Sequence, residues 1–363
     1  MIIIDAHLDL AMNALNWNRD LTLSAHEIRK REAGMTQKGR AMGTVAFPDL
    51  RKGKVAVSIA TVIARVARHG NPSSGYYSSP EIAYAHAQGQ LAYYRILESQ
   101  RKLRIIKDWE TLDAHIKEWE QPERVGEAGS AEKSYPLGLI ISMEGADPIV
   151  SPDQVQLWWD DGLRIVGLSH YGVSNYAHGT GTSGGLTPLG RPLLKAMSES
   201  GMILDLTHLA DESFWEAVAY FDGPVLASHN NCRALVPGDR QFTDDQIRKI
   251  IERDGVIGSA MDAWMLYPGW TKGETSNTVV SLKTVADHMD HVCQLAGNAR
   301  HVAIGTDLDG GYGYEQTPHD LETIADLQKL PNLLRKRGYN EEDIGGIMHG
   351  NWLRLLHDAW TGA

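Results

Sequence analysis

Ile2-Ile3-Ile4-Asp5-Ala6-His7-Leu8-Asp9 opens the chain almost at its first residue. The run 2–6 is nearly continuous in apolar residues, the pattern of a parallel strand buried on both faces. It ends in an imidazole and a carboxylate two positions apart. Seven similar runs follow at 55–63, 137–142, 163–168, 202–206, 224–227, 256–260 and 301–305. Helical patterns at 80–99, 152–161, 191–200, 211–220, 243–253 and 281–295 occupy most of the intervals. Eight strands alternating with helices predict an α/β fold, a (β/α)8 TIM barrel. Residues 320–363 read as helical with no further strand, so the expectation is one barrel domain over 1–363 with a C-terminal helical cap at 320–363. A doubly wound open sheet is the structural alternative, but no Gly-rich phosphate loop follows the first strand.

Local punctuation fits this layout. Ser151-Pro152-Asp153 predicts a capped helix start, and Thr243-Asp244-Asp245-Gln246 a capping box. Gly162, Gly201 and Gly255 stand where helices need a left-handed residue before the next strand. The segments 68–79 and 121–134, rich in Gly, Pro, Ser and charge, read as loops.

The chain has 363 residues, with 35 basic and 46 acidic side chains and a net charge of −11. That balance argues against a nucleic-acid or anionic-membrane surface. The two cysteines, Cys232 and Cys293, lack metal-ligand spacing and make no disulfide framework, which fits a reducing compartment. The opening residues carry no signal-peptide pattern, and no apolar run is long enough to span a bilayer. The expected location is the cytoplasm, with no membrane anchor.

The strand ends carry the chemistry. The first ends in His7 and Asp9, the third in Glu144, the fourth in His170, the fifth in His208, the sixth in His229, and the eighth in Asp307 with Asp309 two beyond. In a parallel barrel these ends share one face. His7 and Asp9, at i and i+2 on a strand, point the same way. Zinc takes N and O ligands and is usually four-coordinate, so His7, Asp9, Glu144, His208 and His229 exceed what one ion needs. Two ions sharing a bridging carboxylate would use them all, in the arrangement of paired-metal hydrolases. A single strand-end histidine is more often structural; four of them with acids at one face are hard to assign to packing.

In this constellation the chain resembles the membrane (renal) dipeptidase family, peptidase family M19, whose members are binuclear zinc dipeptidases. The resemblance runs from Asp5-Ala6-His7-Leu8-Asp9-Leu10 to Gly350-Asn351-Trp352-Leu353-Arg354. It is carried by Ser142-Met143-Glu144-Gly145, Leu204-Asp205-Leu206-Thr207-His208, Ala227-Ser228-His229, Gly305-Thr306-Asp307-Leu308-Asp309-Gly310 and the helix Val285-Ala286-Asp287-His288-Met289-Asp290-His291. It implies that His7 and Asp9 bind one zinc, that His208 and His229 bind the other, and that Glu144 bridges them. It further implies that His170 steadies the oxyanion, Arg240 pairs with the substrate's C-terminal carboxylate, and Asp307 handles the proton near the substrate amine. The implied reaction is dipeptide hydrolysis by a metal-bridging hydroxide, with tolerance of L-Xaa-D-Xaa substrates. Members are often dimers, so a homodimer is among the expected states.

Two other readings remain at this stage. The same centre could open another amide or a lactone, such as an N-acyl amino acid or a β-lactam; or the barrel could bind a small molecule without catalysis. Among lesser candidates, His288 and His291 sit three apart on a helix expected at the surface or an interface. His178 is either a supporting group or a loop residue, and Asp5 either orients His7 or makes a strand-end hydrogen bond. The ten tryptophans are expected to pack helices on the barrel. The loop with His69 and Tyr76-Tyr77, and the segment 261–270, are expected to line the substrate pocket and to differ from mammalian members.

Overall fold

A computed structural model of the chain describes residues 1–66, 76–121 and 135–362. All eight expected strands form: β1 (Ile3–Leu8), β2 (Val55–Val62), β3 (Leu137–Glu144), β4 (Leu163–Gly167), β5 (Ile203–Asp205), β6 (Val225–Asn230), β7 (Ile257–Ser259) and β8 (Val302–Ile304). They pair in parallel in sequence order, and the outcome is the (β/α)8 barrel. No backbone ladder joins β8 to β1 among the described residues. That seam is held by Asp5, whose carboxylate accepts from Thr306 N at 2.9 Å, from Thr306 Oγ1 at 2.6 Å and from His7 N at 3.2 Å. Asp5 therefore closes the barrel rather than gripping the His7 ring.

Two apolar clusters divide the core. The outer one, with Ile3, Val55, Leu139 and Val166, packs strands against helices. The inner one holds Ile4, Ala6, Ile140, Ile165, Ile203, Leu226 and Ala303, and is closed by Trp352, Leu355 and Leu356. These last three come from the C-terminal helix Asn351–Thr361. Trp352 donates from Nε1 to Ile304 O at 2.9 Å, and Asn351 Nδ2 donates to Ala299 O and Val302 O at 2.7 and 2.8 Å. The helical extension thus plugs the floor of the barrel, so at least one tryptophan fills the interior rather than packing a helix outside it. In β1 a bulge sets a three-residue step, Asp5 to Leu8, against a two-residue step of β2, Ser58 to Ala60. There the alternation changes phase: Ala6 belongs to the inner cluster while His7, next to it, reaches the mouth.

Several local expectations need correction. A short strand, Leu103–Ile105, was not foreseen; it pairs with the lower half of β3, where β4 does not reach. Helices Leu10–Asn16, Ala25–Arg31, Phe47–Lys52 and Trp109–Glu120 also lacked a clear signal, being short or mixed in polarity. Tyr76–Tyr77 is not loop but a two-residue strand against Arg65–Val66; His69 and most of the loops at 68–79 and 121–134 lie outside the described residues. Ser151 makes no side-chain cap, because Pro152–Gln154 first forms a 3-10 turn before the helix Val155–Asp161. Thr243 forms its capping box, and Gly162 and Gly201 are left-handed helix ends. At Gly255 the left-handed residue is instead Asp254 (φ 51°). Gly255 is needed for space, since a Cβ there would lie 2.7 Å from Ile250 and 2.9 Å from Val225 O. His288 is buried, not at the surface, and its Nδ1 accepts from Cys232 N at 3.1 Å. No described helix is long and apolar enough to cross a membrane.

Candidate metal centre

Parallel strands bring His7, Asp9, Glu144, His170, His208, His229 and Asp307 to one mouth. Glu144 ends β3 and His229 lies within β6, while His7 is in β1 and Asp9 one residue past it. His170, His208 and Asp307 each stand three residues beyond their strands β4, β5 and β8. His208 and Asp307 adopt left-handed backbone, φ 68° and 57°, a conformation unusual outside glycine and asparagine. Such strain concentrates where function fixes a side chain's direction. Gly310 makes room for one of them: a Cβ there would fall 1.9 Å from Asp307 Oδ1.

Glu144 is the hub. Its Oε1 lies 3.6 Å from His7 Nε2 and 3.4 Å from both His208 Nε2 and His229 Nε2. It is also 3.5 Å from His170 Nε2. His7 Nε2 is 4.0 Å from Asp9 Oδ1 and 3.8 Å from Asp307 Oδ1. Three overlapping groups have ligand atoms close enough to hold an ion: His7, Glu144 and His229; Glu144, His170 and His208; His7, Asp9 and Asp307. His208 and His229 approach Nε2 to Nε2 at 3.2 Å, and His7 Nε2 is buried with no hydrogen-bond partner.

Hydroxyls aim these rings. Thr180 Oγ1 meets His208 Nδ1 at 3.0 Å, and Ser228 Oγ meets His229 Nδ1 at 2.9 Å and His7 Nδ1 at 3.4 Å. Each ring is thereby fixed from behind with Nε2 facing inward, the support that metal-binding histidines usually have. Thr61 Oγ1 donates to Asp9. Arg65 Nη1 meets His170 Nδ1.

Burial dominates the electrostatics. It pushes Asp9 up to about 6, and Glu144 and Asp307 well above the carboxylate range, with repulsion by Asp9 adding to both and by Glu144 to Asp307. It drives His7 down to about 3, with Arg240 contributing, and His170, His208 and His229 well below 6.5. Neutral imidazoles facing crowded carboxylates are costly to one another unless a cation lies between them. The N/O donor set, the unpartnered Nε2 and this charge pattern fit divalent ions.

Arg240 is 2% exposed beside this cluster. Its Nη2 donates to His229 O at 2.8 Å, and its Nη1 is buried without a partner. Asp309 is drawn away: it accepts from Thr44 N, Thr44 Oγ1 and Val45 N and from Arg19 Nη1, anchoring a loop. His178 and His291 stand outside the ligand groups among the described residues, and His291 pairs with Asp244 at 2.8 Å. In the segment 261–270, Asp262 accepts from Gln316 Nε2 at 2.7 Å, and burial raises it to about 6.

Sequence reasoning missed Arg65, Asp262 and the supporting hydroxyls of Thr61, Thr180 and Ser228. For Arg65 and Asp262 the signal existed: each is a charged residue three positions past a strand, β2 and β7.

Comparison with known proteins bears on the fold and the family. The dipeptidase aclJ of Aspergillus oryzae is 27% identical over 362 residues, covering 98% of this chain and 77% of that protein. The crystal structure of the dipeptidase AC, a metallopeptidase of family M19, superposes with a TM-score of 0.78 at 23% identity over 100% of this chain and 99% of that one. A Rhodobacter sphaeroides metallopeptidase, solved with a phosphinate mimic of the dipeptide L-Ala-D-Ala, matches equally at 0.78 and 23%, over 99% of both chains. These two likenesses speak for the fold. The membrane dipeptidase (peptidase family M19) sequence profile matches residues 1–362, and the chain belongs to that family.

Proposed function

We propose that the chain hydrolyses the peptide bond of dipeptides at two zinc ions. The reading assigns His7 and Asp9 to one ion, His208 and His229 to the other, and Glu144 to both. The observation that carries it is the position of Glu144 Oε1, within 3.4–3.6 Å of His7, His208 and His229 at once. Zinc pairs, when bound, acidify water and draw electron density from a carbonyl oxygen.

The remaining residues act on the substrate. A free dipeptide carries a carboxylate at one end and an ammonium at the other. Arg240, buried and with Nη1 unpaired, takes the carboxylate, and leaving that guanidinium unmatched costs more than matching it. His170 donates from Nε2 to the carbonyl oxygen as negative charge develops there. Asp307, whose proton burial favours, receives the proton from water and passes it to the departing nitrogen near the ammonium end. The whole of 1–363 works as one domain, with 320–363 as its cap. Acceptance of L-Xaa-D-Xaa substrates is part of the proposal.

Dipeptide hydrolysis should disappear on chelation and return with zinc, at about two ions per chain. N-acetylated dipeptides should react poorly. Equal rates on free and acetylated substrates would move the reading to another amide, and no turnover by the zinc-loaded protein on L-Xaa-L-Xaa and L-Xaa-D-Xaa libraries would end it.

A further inference from the structure

Four histidines surround Glu144, and their Nδ1 partners differ in kind. Behind His7, His208 and His229 stand hydroxyls of Ser228 and Thr180. A hydroxyl accepts as well as donates, so those Nδ1 atoms are free to carry the ring proton and leave a lone pair on Nε2. Behind His170 stands Arg65 Nη1. A guanidinium has only donors and keeps its protons in proteins. Nδ1 of His170 must therefore accept, and the neutral ring carries its proton on Nε2, which lies 3.5 Å from Glu144 Oε1.

We infer that Arg65 is a positioning residue that commits His170 to be an N–H donor, and so excludes it from the metal ligands it stands among. This rests on the proposed function, in which His170 faces the substrate carbonyl. The same relay occurs, complete, at the opposite end of the barrel. There Arg104 Nη1 meets His115 Nδ1 at 3.0 Å, and His115 Nε2 meets the backbone carbonyl of Ala56 at 2.9 Å. At the mouth the carbonyl in third place is the substrate's. Arg65 is packed in place by an aromatic ring and a tied backbone. Its guanidinium lies 4.3 Å over the Tyr76 ring in the Arg65–Val66 and Tyr76–Tyr77 pair, and Val66 N donates to Asp147 Oδ2 at 2.8 Å.

The test uses the zinc-loaded full chain, with Arg65→Met and Arg65→Lys. Nitrogen-15 NMR of the histidine rings, with His170 identified by its loss in His170→Asn, should place the His170 proton on Nε2 in the unsubstituted protein. Arg65→Met should release that preference. It should also lower kcat on the order of 10- to 100-fold, less than the loss of an oxyanion donor outright, with KM within about twofold and metal content unchanged. Lysine, also a pure donor, or added guanidinium should restore part of kcat. A proton on Nδ1 in the unsubstituted protein, an unchanged kcat in Arg65→Met, or a raised KM at constant kcat would each overturn the inference. If the zinc-loaded protein cleaves no dipeptide, the functional reading falls, while the ring-proton measurement still decides the role of Arg65.

Discussion

At the floor of the barrel Trp352 is wholly buried among Ile4, Ile140, Ile203 and Leu226, and its indole N–H finds Ile304 O. At the mouth His7 Nε2 and Arg240 Nη1 are equally enclosed and have no hydrogen-bond partner. Histidines make the contrast sharper. His115, near the floor, has a partner on both nitrogens, whereas His7, His208 and His229 are satisfied at Nδ1 and crowd one another and Glu144 at Nε2. One end is built for stability and the other holds polar groups ready for something not supplied by the chain. Buried polar atoms without partners are destabilising, so the floor carries the cost of the mouth.

Substitutions at the two ends should therefore part activity from stability. Glu144→Gln should lower kcat/KM by about 10³-fold or more, since in the proposed arrangement one carboxylate serves both ions. Bound metal should fall with it, and the melting temperature of the metal-free protein should hold or rise, because a repelled carboxylate is gone. A metal-free variant that melts well below the unsubstituted protein would break the comparison. Trp352→Ala should do the reverse. It should cost about 3–5 kcal/mol of unfolding free energy by denaturant titration, while zinc content per folded chain is retained.

Arg240→Ala tests whether the mouth is divided within itself. It should lower kcat/KM by roughly 30- to 150-fold, equivalent to about 2–3 kcal/mol for a charge-assisted pair, with metal content unchanged. Zinc loss in that variant would place Arg240 in the metal support rather than the substrate site.

A further expected effect depends on pH. Burial lowers His115 from 6.5 to about 4 in the folded chain. Between those values the unfolded chain binds a proton that the folded one refuses. The stability contributed by the neutral ring is thus present above pH 6.5, falls as the pH falls, and is lost below about 4. Relative to His115→Gln, the unsubstituted protein should lose about 2–3 kcal/mol across that window. A parallel pH dependence in the two proteins would show that the His115 ring is not held neutral at the floor.

Much of the site was legible because a barrel converts sequence position into place. A charged or imidazole residue just past an apolar run lands at the mouth. Arg65, His170, His208, Asp262 and Asp307 each follow their strands by three residues, after Val62, Gly167, Asp205, Ser259 and Ile304. The rule that identified three of them would have found Arg65 and Asp262 as well, had the ends of β2 and β7 been weighed as the other strand ends were. Asp309 shows its limit: two residues past Asp307, it turns away to bind Thr44, Val45 and Arg19.

The sequence by itself determined the eight strands, the parallel order and the histidines and acids that gather round Glu144, because burial on both faces and the strand–helix period are local properties. It also carried the family. Only the tertiary structure decided what stands behind each ring: Ser228 serving His7 from 221 residues away, Thr180 serving His208, and Arg65 serving His170 across 105 residues. It also decided that Asp5 closes the seam and Trp352 the floor. Those pairings join residues far apart in the chain, and no periodicity records which donor will meet which acceptor. The proton on a ring nitrogen, and with it the difference between a ligand and a donor, is set by that meeting.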